Sequence, residues 1–196
     1  MRQVLVIHGG NSFSSYEDYR KYLEKKEINY DKLINPRRWK ERLAEELPDQ
    51  EVIYAKMPNE ANANFEEWSI YFEKIIPFFK EDIQIVGHSL GAMFLAKYLN
   101  DHPLEVPIKR LLLVAGGYDD ESTEDLGSFK VSSAGNLPKS SLEIHLFHSK
   151  DDPVVPFTEL QKFQADLPLA NSHIFEDRGH FIGNSFPEIV EILKQK

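Results

Sequence analysis

The chain contains the run Ile83-Gln84-Ile85-Val86-Gly87-His88-Ser89-Leu90-Gly91, in which a mostly β-branched segment leads into a G-x-S-x-G pentapeptide. The residues that follow, 92–99, have apolar side chains at helical spacing. The pattern therefore predicts a buried strand, a sharp turn at Ser89 and a helix. Such a turn needs small residues two positions before and after the serine, because it brings those positions close together. In this context the pentapeptide is typical of a nucleophile elbow, and the alternative is a chance glycine-rich turn.

A serine hydroxyl becomes a nucleophile at neutral pH only with a base beside it and an acid that orients the base. Both residue types follow Ser89, each just after a strand-like run. Leu142–His148 leads into Asp151 and Asp152, and a second run ending at Glu176 leads into His180. The carboxyl ends of parallel strands meet at one edge of a sheet, so we expect these side chains to converge with Ser89. Spacing alone leaves the choice between the two aspartates open.

A fourth part of the predicted site lies near the amino terminus. Gln3–Ile7 reads as a fully buried strand that breaks at His8-Gly9-Gly10-Asn11. A backbone N–H of this loop, from Gly10 or Asn11, can pair with the N–H of Leu90 to form an oxyanion hole. The helix that begins after Ser89 adds the positive end of its dipole. By itself, the glycine pair is equally typical of a simple strand terminator.

Five motifs together resemble the small serine hydrolases related to retinoblastoma-binding serine hydrolase, a family with a compact, nearly lidless α/β-hydrolase fold. They are His8-Gly9-Gly10, Met57-Pro58-Asn59, Gly87-His88-Ser89-Leu90-Gly91-Ala92, Asp151-Asp152-Pro153-Val154-Val155-Pro156 and Gly179-His180-Phe181. The match spans most of the chain in order. It is specific for the fold and the catalytic residues but not for the substrate.

The resemblance implies a catalytic triad of Ser89, Asp152 and His180 that works without a cofactor. Asp152 is the implied acid because it opens the D-x-x-V-P pattern of similar hydrolases, which makes Asp151 a solvated or turn-capping neighbour. Extra residues at Phe13–Asn35, which do not match the family pattern, could gate access to the site.

Composition restricts the class of protein further. The 196 residues are expected to form one domain, 1–196, with 41% hydrophobic and 12% aromatic residues. A formal charge of −9 argues against nucleic acid as a partner. The absence of cysteine excludes disulfides and thiolate metal sites and fits a cytoplasmic protein. No apolar segment has membrane-spanning length and no signal peptide is recognisable, so we expect no association with a membrane. We also expect no bound metal, since the chain has no cysteine for a thiolate site.

Strand-like and helix-like patterns alternate along the chain, which predicts parallel strands joined by right-handed crossovers. The fold class is therefore α/β: a mostly parallel sheet of about six strands with helices on both faces and a minimal lid or none. Strands are expected near 3–8, 51–56, 83–87, 109–115, 142–148 and 172–176. Helices are expected near 37–47, 65–80, 89–101, 157–166 and 186–194.

Aromatic residues that flank the predicted catalytic loops are candidates for the walls of an acyl pocket, although they could equally be core residues. They are Phe13, Tyr16, Phe129 and Phe181. The polar loop Gly116–Ser141 is expected to be a solvated connection, with a short cap over the pocket as the alternative. His145 and His148 lie at an odd spacing on one strand, so they face opposite ways and a metal site there is disfavoured.

The predicted function is hydrolysis of small or medium acyl substrates, esterase- or thioesterase-like, through an acyl-enzyme on Ser89. An amidase would use the same triad. A hypothesis from another class is a protein-interaction module on a hydrolase scaffold, since fold does not determine function; a protein partner therefore remains unspecified. Loss of the serine, acid or histidine would favour that alternative, and all three are present.

Overall fold

In the computed structural model, which describes residues 1–34, 38–119, 125–137 and 142–195 and only the backbone at 31 and 32, the chain alternates between strand and helix. The strands are β1 (Arg2–Ile7), β2 (Gln50–Ala55), β3 (Ile83–His88), β4 (Ile108–Val114), β5 (Glu143–Ser149) and β6 (Asn171–Phe175). The helices are α1 (Tyr16–Lys25), α2 (Tyr30–Ile34), α3 (Trp39–Glu46), α4 (Phe65–Ile75), α5 (Leu90–Asp101), α6 (Phe157–Asp166) and α7 (Pro187–Lys194).

The six strands form one parallel sheet in the order β2-β1-β3-β4-β5-β6. The chain first moves outward from β1 to β2 and then returns to place β3 on the other side of β1. The end of β1 consequently lies beside the end of β3, with Ile7 opposite Gly87. Such a reversal of strand order opens a crevice at the carboxyl ends of the strands, where open α/β sheets bind ligands.

Alternate residues of the central strands face two separate layers of core. Leu5 and Ile7 of β1 pack on the side covered by α4, α5 and α6, where Trp68, Phe94 and Phe163 are buried. Val4 and Val6 pack on the opposite side, which α3 and α7 cover. The predicted α/β class, with helices on both faces of a parallel sheet, is confirmed.

The segment Phe13–Asn35 forms two helices that the coarse pattern did not predict, α1 and α2. None of the residues of α1 is buried, so there is no wide apolar stripe for periodicity to detect. Ser15 caps α1 by accepting a hydrogen bond from the Asp18 N–H at 3.1 Å. Asn35, at the end of this segment, lies outside the described residues.

Gly91 allows the first turn of α5 to lie against the end of β1. A Cβ at this position would lie 2.5 Å from the His8 carbonyl oxygen and 2.6 Å from that of Ile7. Both contacts are with backbone, which cannot move away without shifting the strand. The close approach brings the loop after β1 next to the turn that carries Ser89.

Gly91→Ala is expected to lower the free energy of unfolding by about 1–3 kcal/mol, because the added methyl overpacks a rigid backbone contact. Urea denaturation monitored by tryptophan fluorescence measures this change. Gly183→Ala is the matched control, because a Cβ there has no neighbour within 4 Å. Equal stability of the two variants would contradict the close approach.

Candidate active site

Ser89 lies in the turn between β3 and α5 with φ +55° and ψ −121°. This backbone conformation is unfavourable for a residue with a side chain, and it costs of the order of 1–3 kcal/mol. The surrounding contacts hold it, since the Ser89 N–H donates to the Val114 carbonyl at 2.8 Å. Gly87 is needed because a Cβ there would lie 2.6 Å from the Gly91 carbonyl oxygen. The predicted strand–turn–helix context of the serine is therefore present.

His180 connects the serine to a carboxylate. Its Nε2 lies 2.9 Å from Ser89 Oγ and its Nδ1 lies 2.8 Å from Asp152 Oδ2. Because a carboxylate can only accept, Nδ1 carries the proton and Nε2 accepts from the serine hydroxyl. This is the tautomer that a general base toward Ser89 requires.

Asp152 is held by the turn in which it lies. Its Oδ1 accepts hydrogen bonds from the N–H groups of Val154 and Val155, at 2.8 and 3.0 Å. Burial opposes ionisation of the carboxyl, but the hydrogen bond and charge of His180 and the two backbone donors outweigh it, so the pKa lies below its usual value. Asp152 therefore offers His180 a charged, fixed acceptor.

Asp151 has a different set of contacts. Its Oδ1 accepts from Ser149 Oγ at 2.5 Å and from the Gly179 N–H at 2.8 Å. The hydrogen bond from Ser149 is the largest cause of a lowered pKa for this exposed carboxyl. Asp151 thus links the loop after β5 to the loop that carries His180, instead of contacting the histidine ring.

The loop after β1 lies directly against the serine, since a Cβ at Gly9 would lie 2.9 Å from Ser89 Cβ. The sequence predicts an oxyanion hole from the N–H of Leu90 and that of either Gly10 or Asn11. Those of Gly10 and Leu90 have no acceptor among the described residues. The Asn11 N–H donates to the Glu60 carbonyl at 2.8 Å. Within the described part of the chain, the N–H groups of Gly10 and Leu90 are therefore free to donate, whereas that of Asn11 is bound to Glu60 in the loop after β2.

A cavity of about 540 Å³ opens over Ser89, His180 and Leu90. Its size lies in the range of pockets that hold small molecules. The walls combine apolar and polar side chains, which include Met93, Val155, Tyr54, Lys40 and Glu60.

None of the four aromatic residues predicted as pocket walls lines this cavity. Phe129 is fully buried and packs edge-to-face on Trp68, so it is a core residue and not a cap. Phe181 is buried in the layer beneath α7, stacked on Phe186. Phe13 and Tyr16 line a neighbouring depression beside α1, where Tyr16 is largely exposed. The core interpretation is the correct one for Phe129 and Phe181.

The loop Gly116–Ser141 is only partly described, since residues 120–124 and 138–141 lie outside the described part. The described remainder contacts the body of the protein: Asp125 accepts from the Ser14 N–H at 2.7 Å, and Leu126 lines the cavity. The choice between a solvated connection and a cap therefore stays a prediction for the rest of the loop.

Three residues beside the site were not singled out by the sequence patterns as functional. His88 Nε2 lies 2.9 Å from the His180 carbonyl oxygen, and Lys40 Nζ lies 3.1 Å from His88 Nδ1. Trp39 also donates from Nε1 to the Phe181 carbonyl at 2.8 Å. No local pattern indicates these contacts, because they join residues 48 to 142 positions apart in the chain.

Burial lowers the pKa of two histidines beside the site, His88 and His148. It lowers the pKa of His88 well below the usual value, and Lys40 and His180 add to the effect. Burial also lowers the pKa of His148, whose Nε2 donates to the Val155 carbonyl at 2.9 Å. Both rings are therefore neutral in the folded protein at pH values where the unfolded chain binds protons.

The free energy of unfolding is expected to fall as the pH drops below about 6.5, the pKa of an unfolded histidine. Below that pH the unfolded state binds more protons than the folded state. Each such histidine contributes a slope of up to about 1.4 kcal/mol per pH unit. Urea titrations between pH 7.5 and 5 measure the slope, and His88→Asn should reduce it. A flat profile in the wild type would contradict neutral buried histidines.

Three known proteins resemble the chain in sequence or in fold. Serine hydrolase RBBP9 of Rattus norvegicus is 27% identical over 165 residues, which are 80% of this chain and 83% of that protein. The B. subtilis ydeN gene product aligns over 98% of this chain and 97% of its own, with a TM-score of 0.78 and 21% identity. Est1E from Butyrivibrio proteoclasticus, in a structure with ferulic acid bound, aligns over 99% of this chain and 87% of its own, with a TM-score of 0.63 and 13% identity.

The fold and the arrangement at the sheet edge define the class as α/β hydrolase. The family model for serine hydrolases matches residues 33–195, and this chain belongs to that family. The resemblance inferred from the motifs is thereby confirmed, and with it hydrolase function.

Other kinds of site were sought in the described part of the chain. No group of three or more histidine, aspartate or glutamate side chains there could hold a metal ion. His145 contacts His173 and Glu143, at 2.9 and 3.0 Å. Within the same residues, no helix is both long and apolar enough to span a membrane.

Proposed function

We propose that the protein hydrolyses esters of small or medium acyl groups through a triad of Ser89, His180 and Asp152. The observation that carries the proposal is the continuous hydrogen-bonded chain from Ser89 Oγ to His180 Nε2 and from His180 Nδ1 to Asp152 Oδ2, at 2.9 and 2.8 Å. This series of hydrogen bonds ends at a serine in an elbow, and the elbow opens into a cavity of small-molecule size.

In the proposed reaction His180 accepts the proton of Ser89 as Oγ attacks the acyl carbonyl carbon. Asp152 stabilises the imidazolium without taking the proton. The N–H groups of Leu90 and Gly10 donate to the oxyanion of the tetrahedral intermediate, and one such donor typically contributes about 3 kcal/mol. His180 then protonates the leaving alcohol, and a water that it activates releases the acyl group from Ser89.

A fluorophosphonate probe tests this proposal directly, because it reacts with an activated serine and not with ordinary hydroxyls. Intact mass and peptide mapping should show one adduct, on Ser89. A panel of p-nitrophenyl esters with acyl chains of two to twelve carbons, together with matched thioesters and anilides, should then show a preference for short or medium esters. No adduct on folded protein would contradict the proposal and favour the interaction-module hypothesis.

A further inference from the structure

The start of α3 holds the loop that carries His180. The Trp39 N–H donates to the Gly183 carbonyl at 3.2 Å, and Trp39 Nε1 donates to the Phe181 carbonyl at 2.8 Å. The carbonyl of His180 itself is contacted by His88 Nε2 at 2.9 Å. Three carbonyls of this loop thus have donors from elsewhere in the fold. The hydrogen bond to the His180 carbonyl depends on the protonation state of the His88 ring.

The contacts of His88 determine its tautomer. The carbonyl of His180 can only accept, so Nε2 must carry a proton. In a neutral ring Nδ1 is then an acceptor, and Lys40 Nζ, 3.1 Å away, is its donor. The opposite tautomer would leave the carbonyl without a donor. Protonation of both nitrogens would place an N–H against the ammonium.

Lys40 is an unusual residue at this position, since only 5% of its surface is exposed. Among the described residues no carboxylate lies within salt-bridge distance of its Nζ, and its one hydrogen bond is to His88. Burial lowers its pKa to about 8, with Arg38 acting in the same direction and Glu41 and Glu60 opposing. A buried lysine without an ion-pair partner is costly, which makes a purely structural role a poor reason for its presence.

We propose that Lys40 is a positioning residue that acts through His88 on His180. By donating to Nδ1, Lys40 holds the His88 ring in the tautomer that carries its proton on Nε2. This N–H donates to the His180 carbonyl and holds the backbone of His180 where the His180 ring meets Ser89. The inference rests on the proposed triad for its kinetic consequence, but the state of the His88 ring can be measured without any substrate.

Loss of the Lys40 ammonium should have two effects. His88 Nδ1 loses its donor, so the ring can reverse its tautomer and release the His180 carbonyl. Burial still favours the neutral ring, but its pKa should rise because the nearby positive charge that opposed protonation is gone. A cationic His88, whose ring centre lies 5.1 Å from that of His180, would oppose the protonation of His180 during catalysis.

The test compares Lys40→Met with Lys40→Arg, which keeps both the charge and an N–H donor. Lys80→Met is the matched control, since Lys80 pairs with Glu51 on the exposed surface. Lys40→Met should lower kcat about ten- to hundredfold with KM changed less than about twofold, because positioning acts on the reacting geometry. In Lys40→Met the acid limb of the pH profile of kcat should also shift. Lys40→Arg should restore most of the wild-type kcat.

Long-range ¹⁵N spectra of the histidine rings give the readout that loss of packing alone would not produce. In the wild type His88 should have a proton on Nε2 and none on Nδ1, and Lys40→Met should change this pattern. His88→Asn combined with Lys40→Met should be no slower than His88→Asn alone, since Lys40 acts through that ring.

A wild-type His88 ring protonated on Nδ1 would overturn the proposal, even if Lys40→Met does not fold. So would an unchanged ring pattern and rate in a folded Lys40→Met. If the wild type fails to react with the fluorophosphonate probe, the proposed triad chemistry is wrong. The ring spectra still show whether Lys40 determines the tautomer of His88 and, through His88, the signals of His180.

Discussion

Ser89→Ala should reduce kcat/KM for p-nitrophenyl acetate by about 10⁴-fold or more and abolish fluorophosphonate labelling. The reason is geometric: Ser89 Oγ donates to His180 Nε2 at 2.9 Å, and alanine offers no other nucleophile at that position. The residual rate should come only from the oxyanion donors and substrate binding. Initial rates at pH 7.5 measure the loss, with intact mass as the second readout.

The matched control is Ser69→Ala, which removes a hydroxyl that donates to the Phe65 carbonyl within α4. It should keep full activity and label on Ser89. Urea denaturation should show that Ser89→Ala is folded, so that loss of activity is not loss of structure. Retention of most of the esterase activity in folded Ser89→Ala would refute the assignment of the nucleophile.

Asp152→Asn is expected to reduce kcat by about 10⁴-fold, with a much smaller change in KM. An asparagine amide can donate to His180 Nδ1, which favours the tautomer with a proton on Nε2. That tautomer cannot accept the proton of Ser89, although the ring stays in place. Steady-state kinetics with p-nitrophenyl acetate from pH 5 to 9 measure the loss.

Asp151→Asn is the informative comparison, because the two aspartates are neighbours and only one contacts the histidine ring. An asparagine oxygen at position 151 can still accept from Ser149 Oγ and from the Gly179 N–H. Its kcat should therefore stay within about tenfold of the wild type. A larger loss in Asp151→Asn than in Asp152→Asn would exchange the roles of the two residues.

Local patterns predicted the elements that bury a clear stripe or carry a strained turn. The six predicted strands lie within one residue of those observed, because each is apolar nearly throughout or ends at a distinct break. The helix predicted at 65–80 is shorter in the structure, since α4 ends at Ile75 and is followed by a 3₁₀ turn, Ile76–Phe78. Pro77 has no N–H and cannot continue the α-helical hydrogen bonds. The helix α1 has no wide apolar stripe for periodicity to detect, because none of its residues is buried.

The aromatic residues illustrate what composition near a motif cannot determine. Phe129 and Phe181 lie next to segments that surround the site, and in sequence either role is compatible with a phenylalanine. Their destinations depend on which side of the sheet each segment packs: Phe129 joins Trp68 under α4, and Phe181 joins Phe186 under α7. Side-chain direction follows from tertiary packing, which one sequence does not encode locally.

Local sequence features were enough to assign the class of protein, because a nucleophile elbow and the two loops after later strands have strong steric requirements. The convergence of Ser89 and His180 followed from the general rule that parallel strands end at one edge. Long-range packing, in contrast, leaves the N–H of Gly10 rather than that of Asn11 without an acceptor among the described residues, and it brings Lys40 to His88. Those contacts join segments far apart in the chain, so they depend on how the helices and loops pack on the sheet rather than on any neighbouring residue.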